Sequence, residues 1–235
     1  MRSTRTLAGL QNRIIMKNEL FIDMQFCTWI VRSSYPQFLS YISKKLEDNL
    51  ENNLLVNHSD NDLFAQKITN NIFLDEDSRE FESFLTEAAW KILDDQGYDL
   101  SNLQVFLSGL HGQSHYRGSG QEQHLHSGSQ ITAFYFIEVP NNSCQLLFHD
   151  PRPGKVATDI PLKNNNQLSC GSENLVYEPK PGDIIYTNSW LPHTITRNQS
   201  IHPFKFLHIT FNVGPEQPMI NNYKLHSSDL KTEIV

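Results

Sequence analysis

Three histidines in this sequence have the spacing of metal ligands. His124 and His126 are separated by one residue, and His193 lies far downstream. Because side chains alternate between the two faces of an extended strand, His124 and His126 would point the same way and could share one ion. A third imidazole from another strand leaves coordination positions open, as a catalytic metal requires. These ligand types permit zinc, iron, copper or nickel.

The alternative reading of each histidine is structural. The chain contains 10 His, and a single His in a strand is usually a core or surface residue. The sequence around His193 favours the metal site, because residues 181–193 form a Pro-Gly-Asp turn, an apolar strand and a second turn that ends on the imidazole. Two separate strands are therefore predicted to converge on one ion.

The elements that would position these histidines are predicted to be strands. After Gly97 the sequence consists of short β-prone runs separated by Gly, Pro, Asn and Ser, a pattern typical of a sandwich or barrel. Two segments, 109–128 and 151–171, are predicted to be long loops that define the substrate. The predicted strands are residues 105–107, 131–139, 145–148, 174–177, 183–186 and 204–213.

Two amphipathic helices are predicted to precede the strands and to buttress one face of the sheet. Pro36 suits the first turn of one helix, and apolar residues recur at spacings of three and four from Phe38 to Leu50. The second helix has Asp77 as its predicted N-cap and Gly97 at its end. Residues 51–62, which are rich in Asn and charge, are predicted to be a surface loop.

Composition limits the classes of partner. The length of 235 residues suits one domain, and the net charge of -7 argues against a protein that binds nucleic-acid phosphates. No apolar run approaches the roughly 18 residues of a membrane span. Three widely separated cysteines, Cys27, Cys144 and Cys170, argue against a disulfide framework and favour a reducing, cytoplasmic location.

Residues 1–18 are predicted to be a flexible N-terminal extension outside the fold, and residues 19–235 to be one domain. The extension carries Arg and Lys and has no acidic residue before Glu19. This bias suits either a targeting segment or a translation start at Met16.

Four segments in order resemble the 2-oxoglutarate and Fe(II)-dependent oxygenases. They are residues 123–140, which begin Gln-His-Leu-His, 147–152, 182–193 and 208–212. The nearest group is a largely uncharacterised one, related to prolyl hydroxylases and common in marine bacteria and their phages. The resemblance covers about residues 100–215. It implies a mainly β double-stranded β-helix, which is a jelly-roll, cupin-like barrel, with ferrous iron, 2-oxoglutarate as cosubstrate and dioxygen.

Under this resemblance His124 matches the first iron ligand and His193 the last. His126 stands where most of the superfamily has Asp or Glu, although the nearer group often has His there. Three hypotheses follow: His126 binds iron, Asp150 supplies a carboxylate in its place, or the position stays open for a halide, as in related halogenases.

The resemblance also implies an Arg on the last strand that pairs with the far carboxylate of 2-oxoglutarate. Phe206 occupies that position, and a phenyl ring cannot bind a carboxylate. An aromatic residue near the cosubstrate is expected on the strand that contains Tyr135. The candidate cosubstrate-binding residues are therefore Tyr135, Arg152, Lys205 and Thr210, with Arg197 as a further cation that could reach in from a loop.

The function implied is hydroxylation of a C–H bond in a small molecule, an amino acid or a peptide, with release of succinate and CO2. No catalytic residue beyond the metal ligands is required. The alternatives are a three-His, cupin-type dioxygenase that does not use 2-oxoglutarate and a non-catalytic metal-binding module. The cupin alternative has Gln130 near the position where that family has Glu. A homodimer formed through the helices is a further hypothesis.

Overall fold

A computed structural model describes residues 26–58, 65–72, 78–157 and 160–215. Within these ranges, two helices, α1 (Leu39–Asn52) and α2 (Arg79–Asp95), accompany eleven strands. The strands are β1 (Ile30–Ser34), β2 (Leu54–Asn57), β3 (Gln66–Asn71), β4 (Leu103–His115), β5 (Gln121–His124), β6 (Ile131–Glu138), β7 (Leu146–His149), β8 (Asn174–Tyr177), β9 (Asp183–Asn188), β10 (His193–Ile195) and β11 (Phe204–Pro215).

The strands form two antiparallel sheets. The larger sheet has the order β1-β9-β6-β11-β4-β3-β2, and the smaller sheet has the order β5-β10-β7-β8. The long strand β11 lies between β6 and β4 and pairs with both along most of its length. Strands distant in sequence are therefore neighbours in each sheet, and the sheets pack face to face.

Each face of the larger sheet has its own core, because alternate residues of a strand point to opposite faces. The outer face packs against α1 and α2, so Tyr135 and Leu207 lie in one cluster with Leu46 and Phe81. The inner face packs against the smaller sheet, where Phe134, Phe136 and Phe206 meet residues of β7 and β10. Neighbouring residues of β6 and β11 therefore belong to different cores.

Both predicted helices are present. A single 3-10 turn, Pro36–Phe38, leads into α1, as expected from a proline in the first turn. Gly97 follows α2 with a φ of 92°, the left-handed conformation expected at a helix end. The predicted N-cap Asp77 lies outside the described residues, and Ser78, at the N-cap position, makes no side-chain capping hydrogen bond.

The prediction of a loop over residues 109–128 is wrong for most of that segment. Strand β4 continues to His115, and β5 occupies residues 121–124. The glycines serve close packing here, since a Cβ at Gly112 would overlap the Leu46 side chain of α1. A Cβ at Gly109 would lie 2.7 Å from Thr210 Oγ1 on β11. Likewise, β2 lies within the predicted surface loop 51–62 and pairs with β3.

The predicted N-terminal extension and the boundary at residue 19 fall outside the described residues. Strand β1, an edge strand of the larger sheet that pairs with β9, is the first element that the structure describes. Within the described ranges, no helix has the length and apolar character needed to cross a membrane.

Candidate metal centre

The three histidines of the predicted site converge between the two sheets. His124 ends β5 and His193 begins β10, and the two residues are direct partners in the smaller sheet. His126 follows β5, and its backbone N–H donates to Ser189 O at 2.9 Å in the turn before β10. One ring nitrogen from each of the three lies within 4.8 Å of the other two. The structure therefore brings together the three histidines that the sequence predicts as metal ligands.

Backbone carbonyls orient two of the three rings. His193 Nδ1 donates to Leu191 O at 3.0 Å, and His124 Nδ1 donates to Glu122 O at 2.7 Å. Each ring therefore carries its proton on Nδ1 and a lone pair on Nε2, the arrangement that a metal ligand needs. His126 Nε2 lies 3.2 Å from His193 Nε2. Two imidazoles bound side by side on one ion, at about 2.1 Å each, would lie roughly 3 Å apart.

Burial keeps the His126 and His193 imidazoles neutral. His193 is fully buried, and desolvation lowers its pKa to about 3, against a raising effect of the Leu191 hydrogen bond. His126 is half-buried, and desolvation together with the nearby His124 lowers its pKa to about 4. Both rings are therefore unprotonated at pH 7 and keep a lone pair available for a metal.

A fourth imidazole, His208 on β11, also lies at the centre. Its Nε2 is 3.0 Å from His126 Nε2, and the two ring centroids are 4.2 Å apart. His208 is buried, and desolvation holds its pKa well below the usual value. His208 belongs to the segment 208–212 that resembles the family, but the sequence predicts no role for it at the site. Strand alternation is the signal that could have found it, since positions 206, 208 and 210 share the inner face.

The alternative carboxylate ligand, Asp150, is paired elsewhere. Both of its oxygens accept hydrogen bonds from the Arg152 side chain, whose guanidinium lowers the pKa of Asp150. Among the described residues, the compact group of potential ligands contains the three histidines and excludes Asp150. The Arg152 side chain is exposed.

Asp150 and Arg152 line a cleft of about 830 Å³ at the edge strands β1 and β8. Phe148 lies in the wall of the same cleft and also contacts the His193 ring, with centroids 6.4 Å apart. Residues 168–170 of the predicted substrate loop form another part of this wall. The cleft therefore extends to a side chain that touches the candidate metal centre.

Two candidate cosubstrate residues lie on the opposite face of the larger sheet. Lys205 Nζ forms ion pairs with Glu47 at 2.6 Å and Glu138 at 3.1 Å. The Tyr135 hydroxyl donates to the Tyr35 carbonyl oxygen at 2.8 Å, within the helix-facing core. Strand alternation directs both side chains away from the histidines. The prediction that Lys205 and Tyr135 contact a cosubstrate beside the histidines therefore does not fit their position on the helix-facing side.

The remaining candidates are placed differently. Thr210 lies on the inner face of β11, two residues from His208, and its Oγ1 accepts a hydrogen bond from Ser108 Oγ at 3.1 Å. Arg197 is exposed, and its Nη1 donates to Gly118 O at 3.1 Å. Of the five candidates, Thr210 alone shares the inner face of β11 with His208.

Phe206 fills the interior where the resemblance implies an Arg. Its ring stacks on the fully buried His115 ring, with centroids 5.8 Å apart and an interplanar angle of 8°. Its direct partner on β4 is Gln113, whose Oε1 accepts a hydrogen bond from His115 Nε2. Within the described part of β11, the inner face carries no Lys or Arg. The three imidazoles of the centre fit a ferrous ion. The hydrogen-bond donors near Phe206 are uncharged.

A family model matches the central part of the chain. Residues 113–203 match the family model described as "Putative 2OG-Fe(II) oxygenase". The matched segment includes His124, His126 and His193 and ends before His208. No curated protein matches this sequence. The association of the chain with marine bacteria and phages stays a prediction.

Solved structures resemble this fold at low sequence identity. A prolyl-4-hydroxylase from Pseudomonas putida is 15% identical, with a TM-score of 0.54 over 79% of this chain and 92% of that one. The α-ketoglutarate-dependent epimerase SnoN from nogalamycin biosynthesis is 12% identical, with a TM-score of 0.56 over 83% of each chain. A second SnoN structure contains Fe3+, α-ketoglutarate and nogalamycin RO.

A prolyl hydroxylase from Trichoplax adhaerens, solved with a peptide of hypoxia inducible factor, is 14% identical. Its TM-score is 0.50 over 78% of this chain and 83% of that chain. These likenesses concern the fold. They confirm the predicted mainly β, jelly-roll architecture with two accompanying helices.

Proposed function

We propose that this chain is an oxidoreductase of the 2OG-Fe(II) oxygenase family and that it hydroxylates a C–H bond. The match of residues 113–203 to the model of that family supports the proposal. The substrate class proposed is a small molecule, an amino acid or a peptide. The observation that carries the proposal is the convergence of His124, His126 and His193, with one nitrogen of each within 4.8 Å of the others.

Ferrous iron, 2-oxoglutarate and dioxygen supply the oxidising chemistry of the family, in which one oxygen atom ends on the substrate and the other in succinate. His124, His126 and His193 are the proposed iron ligands. The carbonyls of Glu122 and Leu191 hold two of these rings in the ligating orientation. No side chain is needed as a general base.

We propose that the far carboxylate of 2-oxoglutarate accepts hydrogen bonds from uncharged donors. Thr210 lies on the inner face of β11, and Gln113 lies beside Phe206 on β4. The Gln113 side chain is 6% exposed, and its Oε1 is already paired with His115, which leaves the amide N–H groups as donors. Hydrogen bonds from neutral donors are weaker than a bidentate Arg contact, so we expect weak cosubstrate binding.

The substrate is proposed to enter through the cleft lined by Phe148, Asp150 and Arg152, because Phe148 also touches His193. An apolar wall with a paired guanidinium at its rim suits a small molecule, an amino acid or a peptide. The net charge of -7 supports the absence of a nucleic-acid partner. We further propose that the protein acts in the cytoplasm, has no membrane partner and forms a homodimer.

The proposal is tested with purified protein, Fe(II) and 2-oxoglutarate under anaerobic conditions. A visible metal-to-ligand charge-transfer band is expected, followed by succinate formation when air is admitted. His193→Ala should lose both signals, because it removes a buried ligand, and His202→Ala at an exposed position should retain them. Iron-loaded protein that gives neither the band nor succinate would refute the proposal.

A second candidate is a three-His dioxygenase that does not use 2-oxoglutarate. The specific observation in its favour is the aromatic inner face around Phe206, which offers no cation within the described residues. Metal-dependent turnover that is unchanged by 2-oxoglutarate would support this candidate. A non-catalytic module, the third alternative, would bind little iron when prepared anaerobically and would lose nothing in His193→Ala.

A further inference from the structure

The interior beside the candidate metal centre is lined by aromatic rings. The Phe134 ring contacts both the centre and β11, with its centroid 5.1 Å from that of His193 and 6.2 Å from that of Phe206. The Phe136 centroid is also 6.2 Å from that of Phe206. All three phenylalanines are buried. A ligand that reaches from the metal towards Phe206 therefore meets hydrocarbon.

The strands around this interior carry almost no positive charge. Strands β4, β6, β7, β9 and β10 contain no Lys or Arg, and the only such residue in β11 is Lys205. The Lys205 side chain points to the helix-facing side, where its Nζ is 2.6 Å from Glu47 Oε1. The polar side chains nearest Phe206 are His115 and Gln113, which are hydrogen-bonded to each other. Both are uncharged at pH 7, because burial lowers the pKa of His115 to about 4.

The two arginines considered for the cosubstrate already have carboxylate partners. Arg152 donates to both oxygens of Asp150. Arg197 Nη2 lies 3.4 Å from Glu122 Oε1. A further carboxylate at either guanidinium would have to compete with the carboxylate that is already there. Neither arginine therefore replaces the missing cation near Phe206.

This distribution of charge acts against a cosubstrate with two carboxylates. 2-Oxoglutarate carries its second carboxylate at the far end of a short alkyl tail. Moving that group from water into an interior without a cation is unfavourable, and hydrogen bonds from uncharged donors offset only part of the cost. An uncharged alkyl tail has no such cost and is stabilised by contact with the phenyl rings.

We infer that the cosubstrate position of this chain accepts 2-oxo acids with an apolar tail and binds them at least as tightly as 2-oxoglutarate. The inference rests on the proposed function, since it requires a 2-oxo acid at the three-histidine centre, and it adds a second class of cosubstrate. Phe206 is the specificity-determining residue, because its ring lies on the inner face of β11 where a cation would select the second carboxylate.

Anaerobic titration of the full-length chain loaded with Fe(II) tests the inference. The two probes are 2-oxoglutarate and 5-methyl-2-oxohexanoate, in which an isopropyl group of similar shape replaces the far carboxylate. The metal-to-ligand charge-transfer band reports the binding of each acid without turnover. We expect the Kd of the isopropyl analogue to be equal to or lower than that of 2-oxoglutarate. A lower Kd for 2-oxoglutarate would overturn the inference.

A series of tail lengths gives an independent measurement. Pyruvate, 2-oxobutanoate and 2-oxopentanoate differ by one carbon at each step. A methylene group that leaves water for an apolar interior strengthens binding about fourfold, so the Kd should fall by about that factor at each step. A Kd that stays constant along the series would place the tail in water and would also contradict the inference.

Replacement of Phe206 tests its role. Phe206→Arg introduces a cation on the inner face, so 2-oxoglutarate should then bind more tightly than the isopropyl analogue. The matched control is Lys205→Ala, the neighbouring position with its side chain on the helix-facing side, which should leave the ratio of the two Kd values within about twofold. A Phe206→Arg protein that unfolds cooperatively yet keeps the wild-type order of affinities would refute the role of Phe206. The wild-type titrations do not depend on the folding of this variant.

The same titrations separate this inference from the proposed function. A charge-transfer band with both acids, but with tighter binding of 2-oxoglutarate, would overturn the inference and leave the proposed function intact. A band with neither acid would overturn both.

Discussion

Protonation of the buried His115 is predicted to make the fold sensitive to acid. His115 is 0% exposed and stacks on Phe206. Its Nδ1 accepts a hydrogen bond from Ser119 Oγ at 3.0 Å, and its Nε2–H donates to Gln113 Oε1 at 3.1 Å. These two hydrogen bonds satisfy both nitrogens of a neutral imidazole ring. Burial lowers the pKa of His115 to about 4.

The sign and size of the effect follow from linkage. The unfolded chain binds this proton near pH 6.5, and the folded chain binds it near pH 4. The contribution of His115 to stability is therefore fully present above about pH 6.5 and is lost as the pH falls towards 4. A difference of about 2.5 pKa units, at about 1.36 kcal/mol each, gives a loss of about 3 kcal/mol.

Urea unfolding of metal-free wild type and His115→Gln between pH 7.5 and 4 measures this effect. The other histidines titrate in both proteins, so the difference between their free energies of unfolding isolates His115. We expect His115→Gln to be less stable at pH 7.5 and the difference to shrink by about 3 kcal/mol by pH 4. His202→Gln, at an exposed position, should follow the wild type. A difference that is constant across the pH range would refute the reasoning.

Three further predictions concern individual contacts. Gly112→Ala should lower the free energy of unfolding, measured in urea, by about 1–3 kcal/mol, because the added Cβ would overlap Leu46. Gly154→Ala should leave it unchanged, because a Cβ at that position has no atom within 4 Å. Lys205→Ala should leave the 2-oxoglutarate affinity, measured by calorimetry, within about twofold, since ion pairs direct Lys205 to the helix face. A tenfold loss would contradict that placement. Tyr135→Phe should cost about 1 kcal/mol on thermal unfolding by removing one hydrogen bond, and unchanged stability would contradict this.

The elements that depend on local patterns were predictable from the sequence. Helix α1 follows from its apolar spacing, and Gly97 ends α2 because glycine tolerates a positive φ. Strands β6 and β8 lie where alternating or β-branched runs place them. Short strands were predicted incompletely. The strand expected to carry both His124 and His126 ends at His124 in β5, and the three-residue strand β10 was not predicted. Both strands depend on pairing with each other, which local sequence does not show.

The loop prediction for residues 109–115 was wrong because it relied on their glycines. A run with several glycines usually indicates a flexible loop, yet β4 passes through it because α1 and β11 approach its backbone too closely for a Cβ. Nothing local distinguishes a glycine needed for close approach from one needed for a turn. The difference depends on the neighbour that packs against it.

The sequence by itself determined the set of candidate ligands, because the spacing of His124 and His126 and the turn before His193 are local properties. Tertiary structure alone decided which face of each strand looks inward. A strand pattern defines two faces, and the position of the helices and the second sheet selects one of them. That selection placed Phe206 and His208 inside, directed Tyr135 and Lys205 to the helices, and brought His208 within 3.0 Å of His126.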